Sequence, residues 1–343
     1  MRIGVIYPTT WTLLEKYGAL FSEGIEVIGP HYGSLDDWNK IYAKKKREWE
    51  QLGLPIKLTL KPYNEIRFSE YDVLIESVET FVYAKDWKKY CTKIECPVIL
   101  KACWTKIPKE VMPKNYMKMM KEYPVLLEMP AHEQGWKHAG FNNVNVLFNP
   151  VGNWWFNQDW TGESNRILFV LMGLNVWRDK DPTRCGLDIW ERIVRDFPQQ
   201  AYHHDGHIDY KSPLEMAKLF SDFRVLVNLD RPYGPGERPM TIVFTEALSA
   251  GMPVAARNLQ GLNFGEFIDS NGICTNDYEA MTNFFRKCLN DYEFAKQCSI
   301  RSREIARRQF SVDVLRPKYD NVIQRAIEVY NGNSSRNDIF ETH

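Results

Sequence analysis

The chain has 343 residues, enough for two domains of ordinary size, and its 44 Lys plus Arg balance 44 Asp plus Glu. This balance excludes a strong overall field that would draw the chain to DNA or to an acidic membrane. The seven cysteines include no C-x-x-C pair, which argues against a disulfide framework or a zinc knuckle. No apolar run approaches the ~18 residues that a membrane span needs, so we expect a cytoplasmic protein without stable membrane insertion.

Short apolar runs recur along the first half of the chain, separated by polar stretches of helix length. Because they do not alternate with polar residues, they predict parallel strands buried on both faces. The runs lie at residues 3–7, 25–28, 56–60, 73–75, 98–100, 125–127 and 144–148. We therefore predict an N-terminal Rossmann-like domain over residues 1–152.

Polar residues follow several of these runs, at the edge where parallel strands end. Ligands of open α/β sheets bind at that edge, so such residues are candidates for a site. They are Thr9, Thr10, Trp11, Glu76, Glu79 and the segment 128–133 with His132. The open alternative for each carboxylate is a helix-capping or solvated acid.

A second series of apolar runs, at 167–171, 225–229 and 254–256, predicts another Rossmann-like domain over residues 153–312. The turn-rich, aromatic segment 149–165 lies between the two series, and we interpret it as the linker. In the second domain, Ser212 with Glu215 three residues later predicts a capping box at a helix start.

The loop after the first strand of the second domain is rich in cations. It carries Arg178, Lys180 and Arg184, either as part of a site or as a solvated charged loop. Asp179 and Asp181 spell the D-x-D that some enzymes use to bind a metal. Because these acids lie among cations, we interpret them as loop solvation and predict no metal site.

Three histidines at positions 203, 204 and 207 also invite a zinc interpretation. No cysteine or second cluster completes the four ligands of a structural zinc site. The sequence therefore predicts no zinc site at these histidines.

The segment 234–256 predicts a helix whose start faces a phosphate group, followed by a buried strand. Pro239 suits the first helical turn, Gly251 the position just past the helix end, and Pro253 prevents continuation. The free N–H groups of a helix start suit an anion. Glu246 lies about two turns further on, roughly 10 Å, a span that fits a diphosphate and its ribose.

This segment resembles the donor-binding signature of retaining GT-B glycosyltransferases of family 4. In that signature two glutamates, separated by seven intervening residues, precede an Ala-rich helix and Gly-x-Pro-Val. The run Glu246-Ala-Leu-Ser-Ala-Gly-Met-Pro-Val matches its second half. Arg238 stands at the position of the first glutamate, with Glu237 one place earlier, and residues 239–241 replace the usual Gly-Phe-Gly.

The resemblance implies a GT-B fold, in which two Rossmann-like domains face each other across a cleft. A last helix, at 313–330, would cross back to the first domain and be followed by a flexible tail at 331–343. It also implies a hexosyltransferase that uses a nucleoside diphosphate sugar as co-substrate, with retention of configuration and without a further cofactor. We favour a UDP-sugar, and a GDP-sugar stays open because no base-contacting residue is evident.

The resemblance also implies roles for individual residues. Glu246 would bind the donor ribose, and the cations of the 173–187 loop would hold its diphosphate. The expected catalytic residues are Glu237, Arg184 and Glu79; the other donor-binding residues are Arg178, Lys180, Arg238, Met240, Thr241, Ile242 and His207; the acceptor-binding residues are Thr9, Thr10, Trp11 and Glu76. The acceptor itself is not identified.

Three other functions stay open at this point. A glycosyltransferase of phage type could act on modified DNA bases, although DNA binding normally needs a basic face. An inactive sugar-nucleotide-binding or scaffold protein would be consistent with Arg238 and the missing Gly-Phe-Gly. A sugar-nucleotide epimerase of the same fold would release UDP without an acceptor.

Overall fold

The computed structural model of the chain divides into two compact α/β units. Unit 1 comprises Met1–Pro150 and Val312–His343, and unit 2 comprises Val151–Ser311. The structure describes residues 1–6, 11–29, 35–60, 65–78, 95–102, 108–128, 130–171, 186–206, 208–229, 242–258 and 263–340.

The strands of the described residues lie in two parallel sheets, one in each unit. The strands are β1 (Ile3–Ile6), β2 (Ile25–Gly29), β3 (Ile56–Leu60), β4 (Val73–Ser77), β5 (Val98–Ala102), β6 (Val125–Leu127), β7 (Val144–Val146), β8 (Ser164–Val170), β9 (Ala201–His204), β10 (Phe223–Asn228), β11 (Val254–Ala256) and β12 (Gly272–Cys274). Within the described residues, unit 1 has a seven-stranded sheet of order β3-β2-β1-β4-β5-β6-β7, and unit 2 a five-stranded sheet of order β12-β11-β10-β8-β9.

Helices connect these strands, as parallel pairing requires. The helices are α1 (Trp11–Leu20), α2 (Leu35–Gln51), α3 (Lys114–Met120), α4 (Glu133–His138), α5 (Asn153–Phe156), α6 (Leu187–Asp196), α7 (Pro213–Asp222), α8 (Ile242–Ala250), α9 (Tyr278–Asn290), α10 (Tyr292–Phe310) and α11 (Val312–Phe340). The predicted capping box is confirmed at the start of α7. No helix in the described part of the chain is both long and apolar enough to cross a bilayer.

The apolar runs of the sequence correspond to ten of the strands, and two further strands were not predicted. These two, β9 and β12, form the edges of the sheet in unit 2. An edge strand has a neighbour on one side alone, and most residues of β9 and β12 are only half-buried. Their sequences therefore lack the continuous apolar run that marks a central strand.

The aromatic segment interpreted as a linker is partly helical and packed within unit 2. Its helix α5 buries Trp154, Trp155 and Phe156. The Trp155 ring lies 5.2 Å from that of Phe220 on α7, measured between centroids. The aromatic half of the segment therefore contributes to the core of unit 2.

The last helix, α11, packs on unit 1 against α1, β4 and β5, which agrees with the predicted crossing back. Tyr319 is fully buried, with its ring 6.4 Å from that of Tyr17 and 6.3 Å from that of Phe21. Arg316 donates to the Leu20 carbonyl at 2.9 Å and to both carboxylate oxygens of Glu23. The helix continues across Pro317, where we predicted a kink or restart, and through the predicted tail as far as Phe340.

Truncation after Ser311 should cause unit 1 to aggregate, because it uncovers the apolar surface that Tyr319 and its neighbours bury. Light scattering and size-exclusion chromatography will detect this. Truncation after Gly332 is the matched control, since it keeps Tyr319 and the other described buried residues of α11, and it should leave a soluble protein. A soluble, well-folded chain ending at Ser311 would contradict the packing role of α11.

A network of charges joins the amino ends of the strands in unit 1. Glu26 on β2 accepts hydrogen bonds from Arg2 at 2.8 Å and from the Thr59 hydroxyl, and it lies 3.3 Å from the Lys57 ammonium. Burial alone would raise the pKa of Glu26. The hydrogen bonds from Thr59, Arg2 and Lys57 outweigh burial and lower the pKa from 4.5 to about 2.

Glu26→Gln should therefore destabilise the protein at neutral pH, by on the order of 2 kcal/mol. A lowered pKa in the folded state contributes stability above the unfolded pKa near 4.5, and this contribution is lost as pH falls toward about 2. Denaturant unfolding at pH 7 and at pH 3 should show the deficit of the variant shrinking at the lower pH. Glu70→Gln is the control, because Glu70 also binds Arg2 but is 42% exposed; an equal effect there would contradict this account.

Candidate functional site

Helix α8 carries the predicted donor-binding glutamate. It follows β10 and precedes β11, so in this parallel sheet its N-terminus lies at the carboxyl edge of unit 2. Glu246 lies one turn after Ile242 and is 8% exposed. Every residue of Phe244–Ala250 is buried, and α8 packs against α5, α7 and α10. A carboxylate in such a helix carries a desolvation cost that an apolar residue would avoid.

The end of α8 has the geometry that its sequence predicted. Gly251 has a φ of +85° and the Met252 N–H donates to the Ala247 carbonyl at 2.8 Å, as in a Schellman motif. Pro253 follows, and β11 begins at Val254. The C-terminal half of the predicted signature is therefore confirmed as helix, glycine cap and buried strand, whereas the predicted helix start at Pro239 lies outside the described residues.

The two histidines of β9 contact other groups of unit 2. His203 and His204 are strand neighbours, so their side chains project to opposite faces of the sheet. The His203 ring bonds to the Leu171 carbonyl at 2.8 Å. His204 is 2% exposed and lies 3.9 Å from Asp209, and burial lowers its pKa. Among the described residues, no three His, Cys, Asp or Glu side chains group as metal ligands.

At the carboxyl edge of unit 1, the structure places Glu76 near the end of β4, paired with β1. The Glu76 carboxylate is 3% exposed and accepts a hydrogen bond from the Tyr116 hydroxyl of α3. Trp11, another predicted acceptor contact, is the first residue of α1, the helix that follows β1. Glu76 and Trp11 therefore both lie at the carboxyl edge of the sheet, next to the boundary between β1 and β4. The strand order changes direction at this boundary, which is where open α/β sheets bind ligands.

The structure adds a site residue that the sequence analysis missed. Lys101 lies within β5, 1% exposed, and its ammonium is 3.1 Å from the Glu128 carboxylate just after β6. The predicted strand ended at Leu100 because a lysine interrupts the apolar run. The available signal was the position of Lys101, between the apolar run and Ala102. Lysine is almost never fully buried unless it is paired, so a lysine at this position indicates a buried ion pair.

The other predicted site residues cannot be placed. The catalytic residues Glu237, Arg184 and Glu79 all lie outside the described residues. So do Arg178, Lys180, Arg238, Met240, Thr241 and His207 of the donor set, Thr9 and Thr10 of the acceptor set, and the D-x-D acids Asp179 and Asp181. The donor residues that the structure does place are Ile242 and Glu246, one turn apart on the same side of α8.

Sequence comparison matches no family model and no curated protein. Comparison of structures does find similar proteins. Anabaena HepE, crystallised in complex with UDP, matches with a TM-score of 0.63 at 13% identity, over 94% of this chain and 100% of that one. A glycosyltransferase from Rickettsia africae matches at 0.58 and 12% identity, over 95% and 98% of the two chains.

Sucrose-phosphate synthase from Thermosynechococcus elongatus gives a TM-score of 0.57 at 11% identity, over 98% of this chain and 100% of that one. These proteins are GT-B glycosyltransferases, and similarity at such low identity establishes the fold. The chain therefore has the GT-B fold, with one Rossmann-like sheet in each unit. This agrees with the fold class that the motif around Glu246 predicted.

Proposed function

We propose that the chain is a glycosyltransferase that transfers a sugar from a UDP-sugar to a hydroxyl acceptor. The observation that carries this proposal is the buried Glu246 on α8, near the carboxyl edge of unit 2. A carboxylate there can accept hydrogen bonds from the two ribose hydroxyls of a nucleotide. Because an apolar side chain would be better for packing alone, a ligand-binding role explains why a charged one occupies this position.

In the proposed reaction the acceptor oxygen bonds to the anomeric carbon of the sugar. The bond from that carbon to the diphosphate breaks, UDP leaves with the electron pair, and the acceptor proton is released. Charge develops on the leaving diphosphate, so cations and helix N–H groups near it would lower the barrier. We assign this task to Arg178, Lys180 and Arg184, with Glu237 and Arg238 close to the transferred sugar.

The choice of a UDP-sugar is supported by the solved structures of similar fold. Anabaena HepE has been crystallised with UDP and with UDP-glucose, the latter matching this chain with a TM-score of 0.60 at 13% identity. Retention of configuration is proposed from the motif around Glu246. The balanced charge of the chain favours a glycan or small-molecule acceptor over DNA.

Glu246→Ala and Glu246→Gln should weaken UDP binding tenfold or more, because a charge-assisted pair of this kind contributes about 1.5–3 kcal/mol. Isothermal titration calorimetry with UDP measures the loss, and thermal unfolding checks that the fold persists. Glu304→Ala is the control, since it removes an exposed carboxylate of α10. Unchanged UDP affinity in both Glu246 variants would remove the basis of the proposal, whereas binding without consumption of UDP-glucose would favour an inactive nucleotide-binding protein.

Consumption of UDP-glucose should continue at the full rate in excess EDTA. Side-chain cations and helix N–H groups can neutralise a leaving diphosphate without a divalent ion. Coupled detection of released UDP, with and without added Mn²⁺ or Mg²⁺, tests this. A strict requirement for either ion would instead make Asp179 and Asp181 the first ligands to examine.

A further inference from the structure

The ion pair of Lys101 and Glu128 lies at the carboxyl edge of the sheet in unit 1. Lys101 is the penultimate residue of β5, and Glu128 directly follows β6. Lys101 is in register with Leu126, so Glu128, two residues further along, projects from the same face of the sheet. The geometry therefore directs a cation and a carboxylate toward each other across two adjacent strands.

The two charges are not equally buried. The Lys101 side chain is 1% exposed and that of Glu128 is 9% exposed. The ammonium is thus shielded from solvent almost completely, whereas the carboxylate keeps a small exposed area. The Lys101 ammonium lies 3.1 Å from the Oε1 oxygen of Glu128; within the described residues the other oxygen, Oε2, accepts no hydrogen bond. A hydrogen-bond donor approaching this edge would therefore find an acceptor oxygen held in place.

Stability alone does not account for this pair. Two charges that leave water lose hydration, and their mutual attraction often fails to recover it. A well-packed apolar pair of similar volume is commonly as stable or more stable. On the same face of the sheet, the neighbouring strand positions Ile99 and Leu126 are apolar and fully buried, so an apolar pair would suit the surroundings.

We propose that Glu128 contacts the hydroxyl group of the acceptor and that Lys101 is the positioning residue that fixes the Glu128 carboxylate. The inference rests on the proposed glycosyltransferase function and identifies where unit 1 would bind its substrate. A carboxylate accepts hydrogen bonds and donates none, and the hydroxyl groups of a sugar or polyol can donate to it. Lys101 supplies the opposite charge that orients the carboxylate.

The decisive variant replaces both charges, Lys101→Met together with Glu128→Leu. It removes the acceptor contact and both charges of the pair together, so the protein should fold with an unfolding temperature equal to or above that of the wild type. UDP affinity, measured by calorimetry, should be unchanged, because the donor site is assigned to unit 2. UDP release from UDP-glucose should fall at least tenfold, with water alone and with glucose, glycerol or maltose as acceptors.

Two further variants separate the roles of the residues. Glu128→Gln should lower the rate of UDP release without changing the KM for UDP-glucose, and Lys101→Arg, which retains the ion pair, should restore much of the rate lost in Lys101→Met. Glu26→Gln is the matched control, since Glu26 is equally buried in the same sheet but lies at its amino edge. It should release UDP at the wild-type rate under conditions in which it is folded.

A stable double variant with the wild-type rate would overturn the inference and make the ion pair purely structural. A wild-type protein that binds no UDP would instead contradict the proposed function. Because UDP binding and UDP release are measured separately on the same samples, the two failures are distinguishable.

Discussion

Burial of parallel strands on both faces is the constraint on which the rest of this structure depends. Strand interiors such as Val98, Ile99 and Leu100 must be apolar, so charged side chains are accommodated toward the strand ends. At the amino edge of unit 1, Glu26 is surrounded by Arg2, Lys57 and Thr59, which compensate its charge. At the carboxyl edges, Glu76, Glu128 and Glu246 are buried carboxylates near the loops that an open α/β sheet uses to bind ligands.

Most of the fold could be predicted from the sequence because central strands of parallel sheets have a simple pattern. The runs at β3, β6 and β11 match the observed strands from end to end. The apolar pattern fails where a strand is less buried or where a buried charge is paired. The edge strands β9 and β12 need less apolar surface than central strands. The apolar pattern ended β5 at Leu100, whereas the strand continues through Lys101 because Glu128 neutralises the lysine charge. Lys101 and Glu128 are 27 positions apart, so no local sequence pattern predicts that they pair.

The candidate site was predictable only in part, for a related reason. Glu246 could be found because its helix, glycine cap and following strand form one continuous motif, and each element of that motif has a local physical signal. The unit 1 edge is assembled from the ends of separate strands, so its members are not neighbours in sequence. Glu76 was identified by its position after an apolar run, but its partner Tyr116 lies 40 residues away on α3.

The return of α11 to unit 1 has a consequence for how the chain folds during synthesis. Unit 2 is continuous in sequence, whereas the core of unit 1 is closed by residues such as Tyr319 and Arg316, the latter bonded to Glu23 across 293 positions. At a translation rate of about 5–20 residues per second, the first part of unit 1 waits many seconds for its last helix. Unit 2 can complete its own sheet during that interval. Unit 1 therefore completes its core only after α11 has been synthesised, and until then the surface of α1 that α11 covers stays exposed.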